Sequence, residues 1–101
     1  MIITERFLRF LHREVCMHYI YLMRCCDSSL YCGYTTDPER REKEHNSGKG
    51  AKYTRSRLPV KLVYTEAFDT REEALKRECA IKKLTREKKL MLLEEYKKRG
   101  M

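Results

Sequence analysis

His18-Tyr19-Ile20-Tyr21-Leu22-Met23 and Leu30-Tyr31-Cys32-Gly33-Tyr34-Thr35 are joined by a short stretch containing Asp27-Ser28-Ser29. Both runs are rich in aromatic and β-branched residues, which suit a pleated, half-buried surface. The Asp-Ser-Ser segment offers side chains that bond their own backbone and so favour a turn. Two strands with so short a connection form an antiparallel hairpin. Side chains alternate across a strand, so a register in which facing residue numbers sum to an even value puts Tyr19, Tyr21, Tyr31 and Gly33 on one face. Phenols are then grouped together.

Working outward from the hairpin, Thr36-Asp37-Pro38-Glu39 has the marks of a helix start. Thr36 or Asp37 can cap, Pro38 fits the first turn, and Glu39 can complete a capping box. From Glu39 to Asn46 there is no aliphatic or aromatic side chain, so this helix lacks an apolar stripe to hold it on a core. Arg41 and His45 lie four apart and share a face. Such a charged helix is ordinarily a solvated one. Asn46-Ser47-Gly48-Lys49-Gly50 ends it, and a basic loop follows with Lys49, Lys52, Tyr53, Arg55 and Arg57. Cations interleaved with an aromatic ring suit a loop that grips a nucleic-acid backbone. The segment does not have the spacing of a phosphate-binding P-loop.

Val60 to Phe68 predicts a third strand. Thr70-x-x-Glu73 is a capping box opening a helix to about Lys83, with Ala74, Leu75, Ile81 and Leu84 on its apolar face and Cys79 at the edge. Glu78 falls in the middle of that arc. A carboxylate there needs a partner, because burying a lone charge is very costly. Lys82, one turn on, is one partner and a bound cation is the other. Thr85 can cap a last helix carrying Leu90, Leu92, Leu93 and Tyr96. In residues 1–16, Phe7, Leu8, Leu11 and Val15 fit one face of a short helix, but the domain pattern begins at Met17. The expected organisation is an extension over 1–16, one domain over 17–95 and a short tail over 96–101.

A chain of 101 residues has room for a single core. Its net charge of +8 makes polyanions the leading class of partner. The five cysteines show no C-x-x-C pair and an odd count, which suits reduced, buried thiols and a cytoplasmic setting. No run approaches the length of a membrane span, and no small-molecule or membrane partner is expected.

Tyr19-Ile20-Tyr21 and Tyr31-Cys32-Gly33 resemble the paired GIY and YIG motifs of the GIY-YIG nucleases, one on each hairpin strand. Arg41 and His45 resemble the family's arginine-histidine helix, and Glu78 matches its metal-binding glutamate. Tyr19 stands where the first glycine would be, and no asparagine after Glu78 matches that of the homing-type members. The run Thr35 to Thr54 looks most similar to the small stand-alone bacterial members and the Slx-type endonucleases. The resemblance implies an α+β domain, a three-stranded antiparallel sheet flanked by helices. It also implies an endonuclease that hydrolyses phosphodiester bonds of DNA, branched or flapped rather than of fixed sequence. Mg²⁺ or Mn²⁺ would be held by Glu78. Arg41 would meet a phosphate oxygen, and Tyr21 or Tyr31 would act as general base, with His45 taking or relaying the proton or orienting the water. The alternative is a nucleic-acid binding module of the same fold with weak or no catalysis.

Overall fold

The computed structural model describes residues 17–99. Strand β1 (His18–Arg24) pairs antiparallel with β2 (Leu30–Thr35) on one side and with β3 (Lys61–Phe68) on the other, so the sheet order is β2-β1-β3. Helix α1 (Pro38–Asn46) and a single turn, α2 (Lys52–Arg55), lie between β2 and β3. Helices α3 (Arg71–Lys82) and α4 (Arg86–Arg99) follow β3. Tyr21 faces Gly33 and Tyr19 faces Thr35, so the odd-numbered residues of the hairpin share a face as their alternation requires.

Central strand β1 is covered on both sides, and Ile20 through Met23 are all buried. On one face Ile20, Leu22, Cys32 and Tyr64 pack with Ala74 and Ile81 of α3 and Leu93 of α4. On the other, Tyr21, Met23, Cys25 and Val60 pack with Tyr31, Leu58 and Leu62. A bulge between Leu22 and Met23 in the pairing with β3 lets Tyr64 serve the first face and Leu62 the second.

The puzzle of α1 is resolved by polar side chains. Asn46 donates from Nδ2 to the Val60 carbonyl at 3.0 Å and accepts the Val60 N–H on Oδ1 at 2.8 Å. One turn earlier, Glu42 accepts the Leu62 N–H at 2.5 Å. Strand β3 is an edge, and its outward amides need partners if buried. Two side chains four apart on α1 satisfy that edge and fix the helix without an apolar stripe. Asp37 caps its start through the Arg40 N–H.

Several expectations are corrected. Leu75 and Cys79 of α3 are exposed, and the buried face is narrower: Ala74 and Ile81, flanked by half-buried Arg77 and Glu78. Arg77 can sit there because its Nε meets Glu66 of β3 at 3.2 Å. Cys25 and Cys32 are buried, but Cys26 is exposed like Cys79. The expected basic loop contains the α2 turn. Residues 96–99, expected as a tail, continue α4, and the Tyr96 ring rests on Tyr64 with centroids 5.0 Å apart. The expected caps Thr70 and Thr85 do accept the N–H groups of Glu73 and Lys88. The extension over 1–16 lies outside the described residues.

If polar contacts hold α1, Asn46→Ala should cost about 2 kcal/mol, near the net worth of two hydrogen bonds plus a stranded amide. Urea denaturation measures it; a change below about 0.5 kcal/mol, the range of ordinary surface substitutions, would mean that the clamp contributes nothing.

Candidate active site

Tyr21 lies across β2 directly over Gly33. A Cβ at Gly33 would collide with the Tyr21 hydroxyl and ring, so only glycine admits the phenol here. The hydroxyl stands 3.0 Å from Nε2 of His45, which α1 delivers to the same sheet face. His45 is wholly buried, and its other ring nitrogen, Nδ1, lies 2.7 Å from Oγ1 of Thr54 on α2. Gly50 passes over this ring so closely that a Cβ would strike Nδ1. Thr54 is also fully buried and donates its hydroxyl proton to the Ala51 carbonyl at 2.9 Å.

Arg41, one turn before His45, sets its guanidinium beside the Tyr21 phenol and is itself 3.9 Å from Glu44. Burial pushes the Tyr21 phenol up to about 12, while Arg41 opposes the shift by favouring the phenolate. Burial, assisted by the positive charge of Arg41, holds the His45 imidazole below its ordinary value, against a smaller opposite pull from Glu44. At neutral pH the pair is therefore an uncharged phenol and an uncharged imidazole.

Tyr31 packs its ring on His45 at 5.4 Å and on Tyr21 at 6.4 Å. Its outer side stacks on Tyr53, 6.0 Å away with the planes 21° apart, and Arg57 covers Tyr53 from 3.8 Å. Of the five residues expected to grip a backbone, Lys49, Lys52, Tyr53 and Arg55 are exposed. Arg57 is differently used: its Nε meets Asp27 at 3.1 Å and its Nη1 donates to the Tyr53 carbonyl. It braces Tyr53 instead of facing solvent freely.

Glu78 stands on the helix that covers the opposite sheet face, beside Cys32, whose thiol is pushed up to about 11 by burial and then by the Glu78 charge. Its carboxylate is 3.7 Å from Lys82, the ion-pair partner that the spacing allowed. A cleft of about 280 Å³ opens across edge strand β2, lined by Leu30, Tyr31, Cys32, Tyr53, Lys82 and Lys89. It joins the phenol side of the sheet to the Glu78 side. A larger groove of about 600 Å³, along Tyr19, Pro38, Leu62 and Tyr96, holds none of these groups.

So the structure gathers Tyr21, Tyr31, Arg41 and His45 into one cluster and sets Glu78 around the edge strand from it. Three participants escaped the sequence reading, Thr54, Gly50 and Lys89, and so did the place of Lys82 in the cleft. Thr54 and Gly50 carry no local signal of contact with His45. Lys82 and Lys89 are on different helices, and only tertiary packing brings them to one cleft. Among the described residues no three His, Cys, Asp or Glu side chains form a ready cage for a metal. A single, largely shielded carboxylate fits the way Mg²⁺ is usually held, by one or two carboxylates with waters and substrate oxygens.

Comparison with known proteins settles the family. The GIY-YIG catalytic domain matches residues 17–91. The chain belongs to the GIY-YIG family. That stretch begins one residue before β1 and ends within α4, so the hairpin, both site helices and the Glu78 helix all fall inside the GIY-YIG match. A UPF0213 protein of Haloquadratum walsbyi is 64% identical over 78 residues, covering 77% of this chain and 88% of that protein. One from Staphylococcus saprophyticus is 59% identical, covering 77% and 95%. The solution NMR structure of a UPF0213 protein from Bacillus halodurans shares 54% identity, covers 77% of this chain and 83% of that one, and superposes with a TM-score of 0.52. A second NMR structure, from E. faecalis, gives 55%, 79%, 85% and 0.55. The fold is thus the α+β GIY-YIG domain. Among the described residues no helix is long and apolar enough to cross a membrane.

The pKa directions give stability a two-sided pH dependence. Tyr21 is raised on folding, so its contribution is complete below the unfolded value near 10 and is lost as pH rises towards about 12, roughly 2–3 kcal/mol in all. His45 is lowered, so its contribution is complete above about 6.5 and is lost as pH falls below that. Denaturant titration across pH should show Tyr21→Phe flattening the alkaline limb and leaving the acid limb in place; an unaltered alkaline limb would contradict the burial of a neutral phenol.

Proposed function

We propose that this protein is a divalent-metal-dependent endonuclease that hydrolyses phosphodiester bonds of DNA and selects branched or flapped structure over sequence. The observation that carries the reading is the Tyr21–His45 hydrogen bond with Arg41 beside it. A phenol is a feeble base until its own proton is gone, and here an acceptor and a cation are both in place. His45 Nε2 takes the Tyr21 proton. In the same movement the phenol oxygen, with Arg41 favouring its developing charge, takes a proton from the attacking water, so no free phenolate need build up beside the imidazole. As the new P–O bond forms, the bond to the leaving oxygen breaks, and that oxygen takes up through solvent the proton that His45 releases. Arg41, whose side chain is 29% exposed, is the opening onto this pair and presents its planar fork to a phosphate oxygen. Tyr31 and Tyr53 wall the cleft through which the strand passes, with Lys82 and Lys89 along it.

Glu78 would hold Mg²⁺ or Mn²⁺, which when bound supplies charge neutralisation at the phosphate and leaving oxygen. Affinity comes from the exposed rim of Lys49, Lys52 and Arg55, whose phosphate contacts carry no sequence information. Free thiols at Cys25, Cys26, Cys32 and Cys79 suit a cytoplasmic setting. A second reading, a nucleic-acid binding module that no longer cuts, is favoured by Lys82, which already occupies Glu78 at 3.7 Å.

The two readings part on cleavage of a flapped or branched DNA with Mg²⁺ or Mn²⁺. A nuclease loses cleavage in Glu78→Gln and keeps its affinity. In Arg41→Ala it slows by roughly two to three orders of magnitude, as on removal of one preorganised donor. Wild-type protein that binds but never cuts would decide for the binding module.

Salt dependence tests the rim separately. Three phosphate contacts give a slope of log K against log[salt] of about −3 on duplex DNA. Replacing Lys49, Lys52 and Arg55 with Ala should flatten the slope by that amount, whereas Arg57→Ala should scarcely change it because Asp27 already holds that charge. An unchanged slope in the triple variant would place the DNA elsewhere.

A further inference from the structure

We propose that Thr54 is a positioning residue that fixes the tautomer of His45, holding the proton on Nδ1 so that Nε2 faces Tyr21 as a bare acceptor. The inference rests on the reading of His45 as the acceptor of the Tyr21 proton and supplies the reason why it can accept.

A threonine hydroxyl has one proton to give. That of Thr54 goes to the Ala51 carbonyl at 2.9 Å. Towards Nδ1 of His45, 2.7 Å away, the same oxygen can therefore only accept, so Nδ1 carries a hydrogen. A neutral imidazole has a single N–H, so Nε2 is left with its lone pair, and the Tyr21 hydroxyl at 3.0 Å donates to it. In water the neutral ring prefers the opposite arrangement, with the proton on Nε2. The protein reverses this preference through one hydroxyl in a wholly buried contact. The run of donors is directional: Tyr21 to His45, His45 to Thr54, Thr54 to the backbone.

The local chain is shaped for the contact. Helix α2 is a single turn, and its start at Lys52 puts Thr54 three residues after the carbonyl that it bonds. Gly50, with no side chain, lets the backbone cross against Nδ1. The titratable and charged groups facing His45 are Tyr21 from β1, Tyr31 from β2, and Arg41 and Glu44 from its own helix. From the 50–54 segment only Thr54 offers a side-chain partner, and it does not titrate. A change of ring pattern on altering Thr54 thus reports the hydroxyl and not a lost charge.

The test is long-range ¹H–¹⁵N NMR of the His45 ring in the full chain, with cleavage of a flapped DNA measured alongside. Wild type and Thr54→Ser should show a protonated, pyrrole-type Nδ1 and a pyridine-type Nε2. Thr54→Val should lose that pattern for a mixed or reversed one, and its kcat should fall roughly tenfold to a hundredfold with KM little changed, by analogy with partners that orient ligating histidines. Thr54→Ser should restore both. A wild-type ring protonated on Nε2, or a folded Thr54→Val with the wild-type pattern, overturns the assignment. The wild-type spectrum decides the tautomer even if the valine variant does not fold. If the protein does not cut DNA, the nuclease reading falls while the ring nitrogens still answer for Thr54.

Discussion

A phenol on the central strand hydrogen-bonded to an imidazole on the first helix is the contact around which this domain is arranged. Tyr21 could not occupy its place unless the facing residue on β2 were glycine, since any Cβ at Gly33 would overlap the hydroxyl. His45 could not reach the sheet unless α1 lay flat against it, and beyond Pro38 at its start α1 has no aliphatic side chain with which to do so. The bond is thus made possible by two unrelated local facts, a missing side chain on one strand and a polar clamp on another. Because both partners are buried, neither can be left unpaired without the full cost of a desolvated polar group.

That dependence explains why the domain accepts so much polarity inside a small core. Asn46 and Glu42 serve β3 as a neighbouring strand would, filling the amides of an edge that would otherwise invite pairing with another chain. They also set the rotation of α1, and four-residue spacing does the rest. With Glu42 and Asn46 turned to the strand edge, Arg41 and His45 are turned to the phenols. One helix therefore satisfies a backbone and presents Arg41 and His45 to the phenols, and no hydrophobic stripe could do both on so few residues.

The hairpin was legible from its composition and short turn, but the parity of its register was an assumption; only once Tyr21 is paired with Gly33 does strict alternation put the odd-numbered tyrosines of both strands on one face. The caps at Asp37, Thr70 and Thr85 were legible as interactions within four residues. Arg41 and His45 could be placed together on a helix face, but nothing local said that the face was buried; the absence of apolar residues argued the reverse. Leu75 was placed inward by helical spacing, yet α3 leans on the sheet through a narrower arc because Arg77 and Glu78 occupy its flank with partners of their own. Thr54 and Gly50 were illegible. Their contact with His45 closes a loop whose path depends on a turn too short to leave a periodic signal.

What the arrangement achieves electrostatically is a division of labour by depth. The cations of the rim are exposed, and solvent and salt weaken the action of each of them on any polyanion. Inside, the Tyr21–His45 pair is uncharged at neutral pH, so it costs little to keep buried. Arg41 stands at the boundary, partly exposed and in contact with the phenol, and is the one charge felt on both sides. Helix α2 repeats the division within one turn. Lys52 and Arg55 face outward while Thr54, between them, faces His45, so one turn carries both an exposed cationic side and the hydroxyl that contacts the imidazole. Under the proposed function, the short turn is accordingly the place where the grip on the nucleic acid and the alignment of the imidazole share a single element.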